Sequence, residues 1–483
     1  MLPLVEELTP VPDVAAALRA LRRWPDLLLL DSARPGGSTG RYSFLTADPF
    51  HFEIVPHADF AGADAVLLPG LEMHDPLAGL QQQMKAFEAE FVADLPPFQG
   101  GAAGMLSYDL NRVWERLPIP RCDEFELPVL AIGVYDWVLA WDHEQRRAWI
   151  ISQGFPETER DRRTDRAAKR MRKVISALSS ATHGDSSGGL VEWTNSQNEI
   201  PELATQFAAP GPSGLTSNFS REGYLKTVGR AIEYIYAGDI FQVNLSQRLL
   251  YRAAENPLEI YMRLRECNPA PFAGYFAHGD WVLASASPER FVHVARGIVE
   301  TRPIKGTRRR RPGPEADLFT RDELRESEKD QAENVMIVDL LRNDLSRVCV
   351  PGTVRVPELC RVETYETVQH LVSEIRGQLE PDRTAWDLFR AVFPGGSITG
   401  APKVRSMQII AELEPTARGP YCGSLFYVGY NGHADSNILI RTFIIRHGWI
   451  QCPVGGGIIA QSDPAAEYEE TLIKAEGMLR ALT

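Results

Sequence analysis

The chain has 483 residues, 44% of them hydrophobic, enough to bury the cores of roughly two to four ordinary domains or fewer large ones. A net charge of −13 and a pI near 5.4 exclude a general nucleic-acid or anionic-membrane surface. Six scattered cysteines form no C-x-x-C pair, no apolar run is long enough for a membrane span, and the N-terminus lacks a basic leader, so a reduced, cytoplasmic chain is expected.

Residues 13–23 predict an amphipathic helix on Val14, Leu18 and Leu21. A short buried strand at 27–30 ends in Asp31-Ser32, followed by a turn on Gly36, Gly37 and Gly40 and a strand at 41–45. A helix is expected at 75–91. Gly100 to Gly104 lead into a strand through Asp109 where backbones can pack closely. Residues 129–141 and 148–152 predict a hairpin around Asp142-His143-Glu144. A charged helix follows at 157–178. Ser-, Gly- and Pro-rich stretches at 179–189 and 210–217 put the main division near residues 180–216.

Beyond Phe219, helix and strand alternate densely. Ser220 opens a helix ending near Gly238-Asp239, and strands are expected at 241–250, 272–277, 281–285 and 290–294. Glu300 to Thr307 reads as a strand end breaking into a tight turn, with Lys305 between Pro303, which fixes φ, and Gly306, which can turn left-handed. The basic run from Arg308 to Arg311 stops at Pro312 and reads as a solvated loop. Thr320-x-x-Glu323 fits a capping box opening one long helix past Asp344. Then come a helix at 401–413, strands at 422–430, 436–446 and 453–460, and a last helix with Asp463 as N-cap and Pro464 at its first position. The class expected is α+β, large antiparallel sheet with helices outside.

Several groups could carry chemistry. Asp330 and Glu333 share a helix face, as do Glu467 and Glu470, with Lys474 four residues further on. Alone, each pair reads as a solvated acidic face. If the two faces meet, four carboxylates demand a cation, and oxygen-only donors argue for a magnesium ion, Mg²⁺. Gly455-Gly456-Gly457 would let backbone N–H groups approach an anion. The loop from Gly395 to Lys403 fails the phosphate-loop pattern because Ala401-Pro402 follow its last glycine, though a helix N-terminus there could still hold a carboxylate. Glu289 ends one arm of a hairpin leading to Lys305. In isolation it reads as an ion-pair partner of Arg290 or another neighbour.

Taken together, GDIFQVNLS from Gly238, NPAP from Asn268, SPERF from Ser287, PIKGT from Pro303, DLLRND from Asp339, QHLVS from Gln369, GAPK from Gly400 and the stretch from Gly455 to Lys474 resemble the chorismate-utilising enzyme family, in that family's order. The N-terminal half is similar to the family's less regular first part, through Gly100 to Asp109 and Gly133 to Trp137. The resemblance implies a sandwich of antiparallel sheets, a family-like N-terminal region at 1–195 and a chorismate-binding catalytic domain at 216–480. Members that add water to chorismate carry a lysine where this chain has Gln242, so Gln242 points to the ammonia-using branch. Lys305 in P-I-K-G-T resembles members that aminate C4, where anthranilate-forming members show P-I-A-G-T.

The same resemblance implies roles for individual residues. Lys305 is the nucleophile and Glu289 the general acid. Mg²⁺ is held by Glu333 and Glu470, with Glu467 and Asp330 just behind, and Asp330 departs from the glutamate often found there. Arg441, Tyr427, Gly455 and Lys474 take the substrate carboxylates, Gly306, Thr307, Gln242, Gly456 and Gly457 line the pocket, and His370 lies near the ring. With the last helix running to Thr483, ammonia is expected from glutamine through a separate glutaminase subunit, serving p-aminobenzoate and folate synthesis, with no nucleic-acid or membrane partner. Leu30-Asp31-Ser32 resembles an L-E-S tryptophan-binding element one methylene short, and a weak or structural site is expected. The alternatives are an anthranilate-forming component or a non-catalytic ligand-binding subunit.

Overall fold

The structure is a computed structural model describing residues 1–33, 39–57, 75–87, 89–182, 202–310, 313–364 and 368–483. The turn expected on Gly36 and Gly37, residues 183–201 of the linker, and Arg311-Pro312 lie outside the described residues.

Local signals act where they are strongest. Asp13, Ser220 and Asp463 each accept a hydrogen bond from a backbone N–H three residues on, capping the helices Val14–Ala20, Arg221–Tyr236 and Pro464–Leu479. The strands assemble into two antiparallel sheets, of thirteen and ten strands among the described residues. The larger runs from Leu4–Glu7 through Leu27–Asp31, Phe272–His278, Trp281–Ser287, Thr442–Arg446 and Trp449–Ile458 to Gln242–Arg252 and two short strands beyond. The smaller runs from Ile304–Arg309 through Val368–Gln378, Ile298–Thr301, Arg290–Ala295, Ala434–Asn437, Ser424–Gly429 and Gly101–Leu106 to His51–Val55.

One core cluster takes residues from both sheets, Phe276, Leu283 and Ile444 meeting Met105, Ile132 and Phe426. A second lies where helices cover the larger sheet, with Leu29, Trp137 and Phe443 against Leu18, Tyr261 and Met478. This is the α+β sandwich expected. Sequence on either side of residues 180–216 contributes strands to both sheets, Leu27–Asp31 pairing with Phe272–His278 and Gly101–Leu106 with Ser424–Gly429. Among the described residues no helix is long and apolar enough to cross a membrane, and all six cysteines are unpaired.

Where tertiary contacts compete, the elements differ from expectation. The expected helix at 75–91 stops as Pro76–Met84, because Phe87 turns onto Phe155 and Phe50 and Phe91 onto His433. The run at 129–141 divides at the buried Asp136, which pairs with Arg170 and Arg166: Leu130–Tyr135 joins the smaller sheet, and Trp137–Asp142 the larger, where it forms the expected hairpin with Arg147–Ser152. The run at 436–446 divides likewise into Ala434–Asn437 and Thr442–Arg446. The single long helix is two, Pro314–Glu326 and Glu328–Ser346. Thr320 is interior to the first, and Ser327 caps the second.

The basic run is not a free loop either, since Arg308 lies in a strand and pairs with Asp330, and Arg310 pairs with Asp317. Helices Pro257–Cys267 and Ala385–Val392 and strands Arg355–Thr364 and Val368–Gln378 were not expected. Asp31 is structural, its carboxylate taking Arg265 Nε at 2.6 Å, the Tyr261 hydroxyl at 2.9 Å and the Ser43 hydroxyl at 3.1 Å.

Candidate active site

Two places where the chain changes sheet lie side by side. Glu289 sits in the crossing from Trp281–Ser287 to Arg290–Ala295, and Arg441, at φ +53°, in the return crossing from Ala434–Asn437 to Thr442–Arg446. The crossings are laced together by Ile438 N–H donating to Glu289 O at 3.0 Å and the Ser287 hydroxyl donating to Ile438 O at 2.6 Å. Arg290 is committed to Asp435 and Glu300, so Glu289 is not its partner. The Glu289 carboxyl instead takes the Ser397 hydroxyl at 2.8 Å. Burial pushes its pKa up to about 7, against that hydrogen bond and the nearby Lys305 and Lys474.

Lys305 is in the strand Ile304–Arg309, opposite Leu371, rather than in a tight turn. The register slips between Lys305 and Thr307, and Gly306 takes φ +62°, so the expected left-handed glycine makes a bulge. The lysine ammonium donates to Ser397 O at 3.3 Å. Burial lowers its pKa, opposed by Glu333 and Glu289 and reinforced by Lys474. Ser397, in the 3-10 turn Gly396–Ile398, therefore holds both groups, one through its hydroxyl and the other through its carbonyl. The Gly395–Lys403 loop contributes through this serine, while Lys403 is spent on Asp344 at 2.5 Å.

The acids converge in part. A Cβ added to Gly456 would stand 3.3 Å from Glu467 Oε2, 3.5 Å from Glu470 Oε1 and 3.6 Å from Lys474 Nζ, so this strand glycine leaves a cradle that the two carboxylates and the lysine border. Lys474 bonds Glu470 at 2.6 Å and Gly455 O at 2.9 Å, and Lys329 lies 4.0 Å from Glu333. Burial raises the pKa of Glu333 and of Glu467, whereas at Glu470 burial is outweighed by Lys474, which holds it low. Among the described residues no three side chains form a closed metal centre. The donors at the cradle, Glu467 and Glu470, are all oxygen, and Glu333 on the other helix feels the charge of Glu467, a set whose chemistry fits a hard divalent cation. Asp330 stands apart, bonded to Arg308 at 2.9 Å behind Gly306.

The remaining residues divide. Gln242 is fully buried beside Gly457, and neither atom of its amide has a partner among the described residues. The Arg441 guanidinium likewise has no acid or hydrogen-bond acceptor among them; burial lowers its pKa, with Tyr421 opposing. An unpartnered guanidinium suits a carboxylate ligand. Tyr427 is a core residue, stacked on Phe98 at 4.6 Å and edge-on to Phe44 at 5.5 Å, and the tyrosine beside Arg441 is Tyr421. His370 is the cross-strand partner of Thr307, one step from Lys305, and the Thr307 side chain lies outside the described residues. Sequence reasoning missed Ser397 and Tyr421, because nothing local marks a loop serine or one tyrosine among several as facing a buried charge.

A buried acid near neutral pKa and a lysine with lowered pKa meet at Ser397, an arginine and an amide are buried without partners among the described residues, and two carboxylates border a glycine cradle; the comparisons with known proteins agree with one another. The family model for chorismate binding enzymes matches residues 48–480. The aminodeoxychorismate synthase component 1 of Salmonella typhimurium is 38% identical over 474 residues, 98% of this chain and 96% of that one. The anthranilate synthase component 1 of Thermus thermophilus is 40% identical over 412 residues, 85% of this chain and 83% of that one. The solved anthranilate synthase component I from Streptococcus pneumoniae aligns with a TM-score of 0.73 at 28% identity, over 92% of this chain and 93% of that one. A family match spanning most of the sequence, relatives of nearly equal length and a shared sandwich leave one conclusion: the chain belongs to the family of chorismate binding enzymes.

Proposed function

We propose that this chain replaces the C4 hydroxyl of chorismate with an amine, the reaction that the name of its aminodeoxychorismate synthase relatives implies. The observation that carries the reading is the joint hold of Ser397 on Glu289 and Lys305, whose pKa values are pushed in opposite directions, the acid up and the base down. Each shift brings its group toward the protonation state that covalent amination needs near neutral pH.

The neutral Lys305 nitrogen attacks ring C2. The double bonds shift, the C4–O bond breaks with its electron pair leaving on oxygen, and Glu289 gives that oxygen a proton, releasing water. Ammonia then adds its lone pair at C4, the double bonds shift back, and the C2–N bond breaks with its electrons returning to Lys305. Glu289, now a carboxylate, takes the surplus proton from the new amine. The sum is chorismate plus ammonia giving the C4 amine plus water.

Arg441, with Tyr421 beside it, and Lys474 would hold the substrate carboxylates. Glu333, Glu467 and Glu470 would hold Mg²⁺, which when bound neutralises the ring carboxylate. Ammonia comes from glutamine through a separate glutaminase subunit, a reading supported by the "component 1" in the relatives' names.

The test is product mass after incubation with chorismate, ammonium and Mg²⁺. An aminated ring retaining its enolpyruvyl group is expected. Anthranilate with free pyruvate as main products overturns the reading in favour of an anthranilate synthase component, and no chorismate consumption at all favours a ligand-binding subunit.

A further inference from the structure

We propose that the Arg308–Asp330 ion pair is a staple that aims Lys305, and that Asp330 acts on the lysine's strand rather than on a cation. The proposal rests on the covalent reading above for its catalytic meaning.

The geometry starts at the bulge. A bulge leaves one residue outside the strand ladder and weakens pairing on either side of it. Lys305 stands immediately before this one, and Arg308 follows one residue after pairing resumes at Thr307. A Cβ on Gly306 would lie 2.7 Å from Leu324 Cδ1 and 3.0 Å from Asp330 Cγ, so the inside of the bulge is roofed by these two side chains, one from each of the helices that meet at Ser327. Asp330 is itself held, its backbone N–H donating to the Ser327 hydroxyl at 3.3 Å. Its carboxylate takes Arg308 Nη2 at 2.9 Å, and Arg308 Nε also faces Glu323 at 3.6 Å. One guanidinium thus ties the strand to both helices two residues beyond Gly306, the weak point in its ladder.

The consequence runs through the helix. Glu333 follows Asp330 by three residues and shares its face. Among the carboxylates around Lys305, Glu333 acts on it most strongly. The staple at Asp330 therefore fixes how far Lys305 stands from Glu333. Two acids that look alike in sequence divide the work: Asp330 holds the strand, and Glu333 faces the lysine.

The test compares Asp330→Asn, Arg308→Met, the double variant and the conservative Arg308→Lys. Hydrogen–deuterium exchange of the peptide covering 303–309 reads the staple without any catalysis. Both single variants should speed exchange there by about tenfold or more with the thermal midpoint little changed, the double should be no worse than the worse single, and Arg308→Lys should restore most of the protection. In steady state, kcat should fall in parallel while KM for chorismate holds, and calorimetric Mg²⁺ affinity should stay within about twofold, since on this assignment Asp330 is not a ligand. Unchanged exchange at 303–309 overturns the staple. So does a large loss of Mg²⁺ affinity in Asp330→Asn with Arg308→Met normal, which returns Asp330 to the cation. If the wild type forms no adduct at Lys305, the covalent reading falls, and the exchange result still decides the staple.

Discussion

Removing the Ser397 hydroxyl should move the pH dependence of the first chemical step in a known direction. That hydroxyl donates to Glu289 Oε1 at 2.8 Å, in a setting where the acid is 6% exposed. A hydrogen bond to a buried charged group is worth about 1.5–3 kcal/mol, and it favours the carboxylate over the acid. Ser397→Ala should therefore raise the Glu289 pKa from about 7 by roughly one to two pH units, at 1.36 kcal/mol per unit. The backbone carbonyl that holds Lys305 is untouched by the substitution. The assay is formation of the covalent Lys305 adduct from chorismate and Mg²⁺ without ammonia, followed by intact-protein mass across pH. Leaving ammonia out removes its own titration from the profile. Adduct formation needs the lysine neutral and the glutamate protonated, so each group sets one limb of the profile, and the limb set by Glu289 should shift upward. A profile in which neither limb moves up refutes both the role of Glu289 as acid and the coupling through Ser397.

Lys305→Ala cannot form the adduct and should lower C4 amination by orders of magnitude, with Lys305→Arg recovering little because a guanidinium stays protonated; near-wild-type amination by Lys305→Ala, measured as product mass per time, sinks the covalent step. Glu333→Gln and Glu470→Gln should each abolish Mg²⁺-dependent turnover while keeping the thermal midpoint, and full turnover of either in excess chelator would show the acidic faces to be merely solvated. Glu289→Gln should lose activity yet gain stability at high pH. The wild-type carboxyl, raised from 4.5 to about 7 on folding, contributes stability fully present below pH 4.5 and lost as pH rises through 7, on the order of 3 kcal/mol. Urea unfolding should therefore separate Glu289→Gln from wild type at pH 8 but not at pH 4, and equal midpoints at pH 8 refute the buried-acid assignment.

What the sequence made legible was local or carried by motif. Caps at Asp13, Ser220 and Asp463 work through a side chain and a backbone N–H three residues away, so the sequence contains the whole interaction. Lys305, Glu289 and the acidic pairs stood out by motif, and the fold brings Glu289, Glu333 and Glu470 close enough to act on Lys305 and sets Glu467 beside Glu470 at Gly456. What was not legible depends on partners far along the chain. The strand at 129–141 is continuous by propensity, and its division at Asp136 answers to Arg166 and Arg170 on a later helix. Lys305 looked like a turn residue because Pro303 and Gly306 flank it, but pairing with Val368–Gln378 makes the same glycine a bulge. Tyr427 and Tyr421 are equally polar in sequence, and only the fold shows that the first packs its ring against Phe44 and Phe98 while the second lies beside Arg441. Asp330 and Glu333 form one acidic face until Arg308 is seen to claim the first.

The sharing of both sheets between early and late sequence sets an order of events during synthesis. Asp31 finds its ladder partner at Ala273, and Gly104 at Phe426, so neither sheet can be completed until the ribosome is near the end of the message. Folding dominated by such distant pairings is slow, because loop closure precedes any reward from contact. The nascent N-terminal half meanwhile presents two open strand edges, at Leu27–Asp31 and Gly101–Leu106, each a template for the wrong neighbour. A fragment begun at residue 216 would carry every acid and base of the pocket, but would leave Phe272–His278 and Ser424–Gly429 bare along the edges that the first half covers. Cutting the gene at its most linker-like stretch therefore leaves each half with strand edges that only the other half covers.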